Sequence, residues 1–397
     1  MRNARWVVAL ALVVSMTVGM SGCGAQGTQG DSKTAEPIKL GAVLSLTGTY
    51  AALGTAEKQA LELESARINK SGGIDGHPIE LVIEDDATDE AKAVAAASKL
   101  IEQDEVVAIL GATGTGQSMA IRGDVDRAQV PQISMAGGTA ITQQFDANVF
   151  QTPWSNTIVV PFVLDAIKKS GVSQIALITD TGGYGKDGKP IIEASAAELG
   201  LKIVANETFN PGDTDMTAQL TKIRASGAKA VLLWTAGKEA TTIMKNAQGL
   251  GMRDGATAVP FFGGSGQARL EFGEGSGDAA EGFTFGTGKS LVSTNWGPDS
   301  EEFKVVSDFA KRYEAAYGQA PDIFAGHAFD AFLIVVNALK AAGPDADGAA
   351  IRDAIEATNG LVGFAGTFTY SATDHNGLTT EDLSLYRFAG GMWEPAE

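Results

Sequence analysis

Short apolar runs alternate with longer amphipathic segments along most of the chain. The run 38–46 reads IKLGAVLSL and lies between Pro37 and Thr47-Gly48, which is typical of a strand buried on both faces of a parallel sheet. The segment 55–69 is rich in Ala, Leu and Glu and stops before Ser71-Gly72-Gly73, as a helix with a glycine stop does. The same alternation predicts strands at 79–84, 106–110 and 131–135 and helices at 89–103 and 117–128.

A second series of alternating segments begins with a helix at residue 157. It continues with strands at 174–179, 202–208, 229–234 and 259–263 and with helices at 187–199, 214–226 and 239–249. Strands that alternate with helices of about 10–15 residues form parallel sheets with helices on both faces. Two such series, each of roughly six strands, predict an α/β protein with two Rossmann-like lobes.

The last third of the chain departs from this alternation. Its pattern predicts three consecutive helices, at 299–317, 322–342 and 347–358. Two strand-like runs, 362–371 and 382–388, then flank an Asn-Gly dipeptide. Because Asn-Gly between two such runs is a strong hairpin signal, we predict that the two runs form a β-hairpin.

The first 22 residues have the anatomy of a secretory signal. Arg2 and Arg5 precede an apolar run of about 15 residues, and Ser21-Gly22 stand directly before Cys23. This order resembles a bacterial lipobox, apart from Met20, where that motif prefers Leu. The resemblance implies cleavage after residue 22 and a diacylglycerol on the sulfur of Cys23. The alternative is an ordinary cleaved signal with a coincidental cysteine.

Residues 23–36 are small and polar, which predicts a flexible tether between the anchor and the folded body. More than one acyl chain is needed for stable anchoring. We therefore expect an extracytoplasmic, membrane-anchored lipoprotein, on the cell surface or the periplasmic face.

Composition and charge narrow the functional classes. The chain has 397 residues and a formal net charge of −18, and loss of the two signal arginines makes this −20. Such a charge argues against nucleic-acid partners. One cysteine excludes an intramolecular disulfide framework and a multi-thiolate zinc site, and three scattered histidines offer little for a metal centre. We expect neither a metal nor a cofactor.

The loops that follow the predicted strands are rich in small and hydroxyl residues. Ser45 opens the loop after the first strand, and the sequences GATGTG, AGGT and DTGGYG occupy 111–116, 136–139 and 180–185. In open parallel sheets, ligands bind beyond the carboxyl ends of the strands, where helix N-termini present free N–H groups. Met119 stands where a dinucleotide loop needs its third glycine, and no Gly-Lys-Ser/Thr ending follows. These loops favour an anion of carboxylate size.

A catalytic constellation is not visible. Gly264-Ser265-Gly266 is followed by Gln267, so the segment is not a nucleophile elbow. The acidic cluster at 85–89 is explained by helix capping better than by calcium or catalysis. His327 lies on an apolar helix face, where a core position is the usual role and a ligand contact the alternative. We therefore predict binding without chemistry.

Several segments together resemble the extracytoplasmic solute-binding proteins of branched-chain amino acid ABC importers. They are the lipobox, IKLGAVLSLTG at 38–48, GGIDG at 72–76, ELVIEDD at 80–86, the 111–116 loop, Tyr184-Gly185 and Phe329-Asp330-Ala331. The resemblance covers about residues 37–394 and implies the type I periplasmic-binding fold, in which two lobes joined by three crossings close over a ligand. We place the crossings near 151–153, 284–288 and 380–384. Lobe 1 then comprises 37–152 and 287–381, and lobe 2 comprises 153–286 and 382–397.

The resemblance also implies the ligand contacts. The hydroxyl of Thr115 matches the family position that holds the ligand carboxylate. Tyr184 matches the aromatic residue that covers the ligand when the lobes close. The other expected contacts are Ser45, Ala136, Gly138, Thr139, Trp154 and Phe324.

Two positions depart from the amino-acid binders. Ser265 stands where those proteins usually place an acid for the ligand ammonium, and Ala236 stands where an aromatic residue is expected. Leaving a buried charge unpaired costs about 3–5 kcal/mol. Either Glu239 or Asp180 takes the acid's place, or the ligand is an aromatic or aliphatic acid or a short amide without an ammonium group.

The leading hypothesis is a monomeric, lipid-anchored binding protein that delivers a branched-chain or other hydrophobic amino acid to an ABC permease. A ligand sensor of the same fold is a second possibility, and a lipid-anchored hydrolase is a third. Absence of permease and ATPase genes from the genomic neighbourhood would favour the sensor, and turnover of a bound ligand would favour the hydrolase.

Overall fold

A computed structural model of the chain describes residues 35–255 and 258–396. The predicted signal, Cys23 and all but the last two residues of the predicted tether lie outside this range.

The first third of the described chain forms a five-stranded, all-parallel sheet in the order β2-β1-β3-β4-β5. Its strands are β1 Ile38–Leu44, β2 Ile79–Asp85, β3 Ala108–Gly111, β4 Gln132–Ser134 and β5 Val149–Gln151. The connecting helices are α1 Ala51–Lys70, α2 Glu90–Glu102, α3 Thr115–Ala128 and α4 Ala140–Gln143. The predicted strands and helices are confirmed to within a few residues, and the three-residue β5 and the short α4 are additional elements.

The rest of the described chain supplies a seven-stranded sheet in the order β14-β13-β10-β9-β8-β6-β7. Its strands are β6 Gln174–Asp180, β7 Lys202–Phe209, β8 Ala230–Trp234, β9 Phe261–Gly263, β10 Thr284–Gly288, β13 Leu383–Ala389 and β14 Met392–Ala396. Its helices are α5 Asn156–Lys169, α6 Gly183–Leu199, α7 Thr217–Ala225, α8 Glu239–Gly249 and α9 Leu270–Ser276. The five strands from β6 to β10 are parallel, and β13 and β14 add an antiparallel edge.

Along the chain, three helices and a small hairpin come between β10 and β13 of this second sheet. They are α10 Glu301–Tyr317, α11 Ile323–Ala342, α12 Gly348–Glu356 and the antiparallel pair β11 Asn359–Val362 and β12 Thr367–Thr369. Helix α11 has the length and hydropathy of a membrane span, but 83% of its most apolar window is buried within the protein, as in a core helix.

The hairpin predicted at Asn376-Gly377 is wrong. Strand β12 pairs with β11, whereas β13 pairs with β10 and β14 in the other sheet. The Asn376 side chain instead donates from Nδ2 to the carbonyl of Pro153 at 2.7 Å. The Asn-Gly segment thus leads the chain from the β11–β12 pair towards the seven-stranded sheet, and the two runs that flank it pair with other strands instead of with each other.

Candidate ligand-binding site

A cavity of about 460 Å³, its solvent-open mouth included, lies beyond the carboxyl ends of strands from both sheets. This is where ligands bind in open parallel sheets, because the loops there are not covered by crossing helices. The first sheet and its loops, together with the segment after β5, contribute Tyr50, Leu53, Thr113, Gly114, Thr115, Met135, Ala136, Gly137, Pro153 and Trp154. The second sheet contributes Tyr184, Ala236, Ser265 and Gly266, and α11 contributes Ile323, Phe324 and His327.

Thr115 is positioned by the sharp transition from β3 into α3. It is the first residue of that helix, after Gly114, so the free N–H groups of the first helical turn lie beside its hydroxyl. Gly138 is required next to it, since a Cβ at that position would overlap the Cγ2 methyl of Thr115 and lie 3.1 Å from its Cβ. The glycine therefore allows the loop after β4 to approach the start of α3.

Three polar atoms of the cavity-lining side chains have no hydrogen-bond partner among the described residues. They are Oγ1 of Thr115, Nε1 of Trp154 and Nδ1 of His327. All three side chains are almost completely buried. Buried polar atoms in native proteins are nearly always paired, so these three atoms are available for hydrogen bonds to a ligand in the cavity.

His327 lines the cavity as a neutral imidazole. Burial lowers its pKa to about 3, because the apolar surroundings disfavour the charged form. Its ring lies edge-on to Trp154, with the ring centroids 5.4 Å apart. His327 and Trp154 thus give one side of the cavity two uncharged groups that can hydrogen-bond to a ligand.

Tyr184 is held by an aromatic stack beneath the cavity. Its ring lies 5.8 Å from Trp234, nearly parallel to it, and the Trp234 Nε1 donates to Oδ1 of Asn156 at 3.1 Å. Trp234 is the last residue of β8, and it supports Tyr184 from below the cavity. Ala236, two residues later, lines the cavity itself.

None of the described residues that line the cavity has a charged side chain. Neither of the two acids considered as partners for an ammonium group lines the cavity, although Oδ2 of Asp180 has no hydrogen-bond partner among the described residues. Oε1 of Glu239 accepts from the amide of Gly212 at 2.6 Å, and Oδ1 of Asp180 accepts from the amide of Gly182 at 2.7 Å. Burial raises the pKa of Asp180, because it disfavours the carboxylate form.

A buried cation lies directly behind the wall formed by Ala236 and Gly266. The guanidinium of Arg269 donates to the carbonyls of Ala236 at 2.7 Å and Gly237 at 2.9 Å, and also to that of Gly266. These bonds join the loops after β8 and β9. They also occupy carbonyl oxygens that would otherwise be free to accept from a positively charged ligand group.

A second buried network supports the opposite wall. The Ser45 amide donates to Oγ1 of Thr113 at 3.0 Å, and the Ser45 hydroxyl donates to Oδ1 of Asp86 at 2.6 Å. Thr113 in turn donates to Glu57. Burial raises the pKa of both Glu57 and Asp86. Ser45 thus lies behind Thr113, which carries the network to the cavity.

The structure brings most of the expected contacts together around this cavity. Those that line it are Thr115, Ala136, Trp154, Tyr184, Ala236, Ser265 and Phe324. Ser45, Gly138 and Thr139 lie outside the lining. The hydroxyl of Thr139 accepts from the amide of Thr157 at 3.1 Å.

Tyr50 and Thr113 line the cavity but were not expected to, although both lie in or beside hydroxyl-rich loops at the strand ends. For Leu53, Pro153 and Ile323 no local signal exists, because each is an ordinary apolar residue until the fold brings it to the cavity. Among the described residues no group of three His, Cys, Asp or Glu side chains is arranged to hold a metal ion.

The sequence profile of the periplasmic binding proteins matches residues 37–391. A Leu/Ile/Val-binding protein homolog of Brucella melitensis is 26% identical over 359 residues, which cover 89% of this chain and 92% of the relative.

Solved structures with the same fold include proteins with different bound ligands. The substrate-binding protein of a branched-chain amino acid transporter from Streptococcus pneumoniae, in complex with isoleucine, is 27% identical with a TM-score of 0.79, and the match covers 91% of this chain and 99% of that one. A solute-binding protein from Rhodopseudomonas palustris, in complex with benzoate, is 25% identical with a TM-score of 0.80, and the match covers 90% and 95% of the two chains.

Proposed function

Since the chain belongs to the periplasmic binding protein family and has its type I fold, we propose that it is the solute-binding subunit of an ABC importer. It binds a small, largely apolar ligand between two lobes and delivers it to a permease. The observation that carries this proposal is the cavity between the two sheets, with unpaired polar atoms on Thr115, Trp154 and His327.

The proposed binding site for a ligand carboxylate or carboxamide is the start of α3. Thr115 supplies a hydroxyl, and the first amides of the helix supply N–H donors with no partner within the helix. Hydrogen bonds to a charged group contribute roughly 1.5–3 kcal/mol each. Three or four of them support micromolar affinity, which corresponds to about −8 kcal/mol.

Two classes of ligand are candidates for this binding site. The Brucella and Streptococcus relatives support a branched-chain or other hydrophobic amino acid. The uncharged lining, with Arg269 behind it, favours an aromatic or aliphatic acid or a short amide. An ammonium group enclosed there would lack a carboxylate partner, at a cost of about 3–5 kcal/mol. The geometry therefore favours the class without an ammonium group.

Calorimetry with matched ligands tests the two classes. Leucine and 4-methylpentanoate share one carbon skeleton and differ only by the ammonium group, and 4-methylpentanamide replaces the carboxylate by an amide. Phenylalanine, 3-phenylpropanoate and benzoate form an aromatic set. We expect the acids or amides to bind at least about 100-fold more tightly than the amino acids. Tighter binding of leucine would reverse the ligand class, and no binding of any class would count against the proposed function.

The anchor and the lobe boundaries belong to the same proposal. Cys23 carries the lipid after cleavage of residues 1–22, and the lobes comprise 37–152 with 287–381 and 153–286 with 382–397. Replacement of Cys23 by Ser is expected to move the protein from the membrane fraction to the soluble fraction. Retention in the membrane would contradict the lipid anchor without affecting the ligand assignment.

A role in transport rather than sensing has its own test. Cells that lack the protein are expected to lose uptake of the radiolabelled ligand, and uptake should return with the wild-type chain. Undiminished uptake together with a lost transcriptional response to the ligand would favour the sensor.

A further inference from the structure

Asp187 joins the two halves of the molecule, one built on the first sheet and the other on the second, and it does not line the ligand cavity. It lies on α6, which follows β6 of the second sheet, and its carboxylate accepts hydrogen bonds from the loop after β4 of the first sheet. Oδ2 is 2.7 Å from the amide nitrogen of Thr139, and Oδ1 is 2.9 Å from that of Ala140. One carboxylate thus binds two consecutive amides of the opposite half.

The loop bound by Asp187 is the one that carries part of the cavity wall. Ala136 and Gly137 line the cavity, and Gly138 packs against Thr115. From the first sheet, Gln151 Nε2 donates to the carbonyl of Ala136 at 2.7 Å. The loop is therefore bound on one side by its own sheet and on the other by Asp187 and by the start of α5, where the amides of Asn156 and Thr157 donate to the Gly137 carbonyl and the Thr139 hydroxyl.

Asp187 is oriented from within its own half. Nδ2 of Asn156, at the start of α5, donates to Oδ2 of Asp187 at 2.6 Å, and Oδ1 of Asn156 accepts from Trp234. The same asparagine therefore connects Asp187 to the stack beneath Tyr184. The backbone amide of Asn156 also donates to the carbonyl of Gly137 at 3.0 Å, so the asparagine contacts the opposite half as well.

Two glycines beside Asp187 allow the halves to meet. Gly183, the first residue of α6, lies against Gly116 near the start of α3. A Cβ on Gly183 would overlap the amide nitrogen of Gly116 and lie 2.7 Å from its Cα. Gly183 has no left-handed backbone angle, so alanine fits its own helix and is excluded only by the contact across the halves.

We infer that Asp187 is a positioning residue that stabilises the closed state, by accepting the Thr139 and Ala140 amides when the two halves meet over the ligand. This inference rests on the proposed hinge closure. In an open state, water solvates both the carboxylate and the amides, so little is lost there when Asp187 is changed. Ligand affinity depends on the population of the closed state, and Asp187 therefore affects binding without touching the ligand.

The test compares Asp187→Asn and Gly183→Ala with the wild-type protein, using leucine and 4-methylpentanoate as probes. Glu198→Gln is the matched control, since it makes the same carboxylate-to-amide change at an exposed position of α6. We measure the Kd by calorimetry, the Tm without ligand, and the radius of gyration by small-angle X-ray scattering with and without probe.

Both variants are expected to weaken probe binding by about tenfold or more, and to contract less than the wild type on probe addition. Their Tm without ligand should stay within about 2 °C of the wild-type value, and Glu198→Gln should match the wild type throughout. Wild-type affinity and contraction in Asp187→Asn would overturn the inference. So would a weaker Kd with normal contraction and a lowered Tm, because that result means a purely structural role.

Failure of the proposed function gives a different result. If the wild type neither binds nor contracts with either probe, the ligand assignment fails. Asp187→Asn is then compared with the wild type without ligand. Equal radii of gyration and equal Tm values agree with a contact that forms only on closure, whereas a Tm lowered by more than about 2 °C shows a contact that the ligand-free protein already makes and overturns the inference.

Discussion

The hydroxyl of Thr115 is an unpaired polar group at the start of a helix, so its removal separates ligand binding from protein stability. Oγ1 has no partner among the described residues, and Thr115→Ala therefore breaks no hydrogen bond within the protein. Alanine also has a higher helix propensity than threonine. The remaining loss is the Cγ2 methyl that packs on Gly138.

The expected effect on binding follows from the role of the hydroxyl as a donor to a ligand carboxylate. Loss of one hydrogen bond to a charged group costs about 1.5–3 kcal/mol, which corresponds to a Kd raised about 10- to 150-fold. Without ligand, loss of one methyl group costs at most about 1 kcal/mol, so the Tm should change by only a few degrees.

Calorimetry on Thr115→Ala and Thr115→Ser, with differential scanning calorimetry of the ligand-free proteins, provides the measurement. Serine keeps the hydroxyl and removes the methyl, so it should retain most of the wild-type affinity. An unchanged Kd in the alanine variant refutes the role of the hydroxyl. Equal losses in both variants would show that the methyl contact, and not the hydrogen bond, supports the site.

Three further changes probe other parts of the site. Ser265→Asp places a carboxylate in the uncharged lining and should shift the preference from 4-methylpentanoate towards leucine by about tenfold, whereas Ser265→Asn should not; calorimetry with both ligands decides. Gly288→Ala should weaken ligand binding, because its Cβ would lie 2.5 Å from Cζ2 of Trp154, and urea unfolding should show a loss of about 1–3 kcal/mol; unaltered binding would contradict the role of Trp154. Because the pKa of His327 is about 3 in the folded protein and about 6.5 when unfolded, protonation favours the unfolded state below pH 6.5. Stability should fall by about 2 kcal/mol between pH 7 and pH 5, and His327→Gln should remove that part of the decline in urea titrations at the two pH values.

Local sequence patterns were sufficient for most of the framework. The apolar run of β1 and the glycine stop after α1 are decided within a few residues, because periodicity and helix termination are local properties. The small, hydroxyl-rich loops at the strand ends predicted a ligand site there. Thr115 and Tyr184 were expected through the resemblance to a family of binding proteins, and both line the cavity.

Which strands pair with each other, and which polar atoms have hydrogen-bond partners, was decided only by the tertiary structure. The Asn376-Gly377 signal predicted a local hairpin, yet β13 pairs with β10, about a hundred residues earlier in the chain. Arg269 is an unremarkable arginine in the sequence, and only the fold places it behind the cavity wall at Ala236. The sequence allowed two interpretations of His327, a core position or a ligand contact. Its burial at the cavity depends on the packing of α11.

The sequence by itself therefore determined an acidic α/β chain of repeated strand–helix units, and it predicted an N-terminal secretion signal and binding loops at the strand ends. The tertiary structure decided which polar atoms stay unpaired, which charges lie behind the cavity and which groups, such as Asp187 and Gly183, meet across the two halves. The physical reason is that strands, helices and turns are specified by neighbouring residues. The chemistry of the site instead depends on contacts between segments that are far apart in the chain.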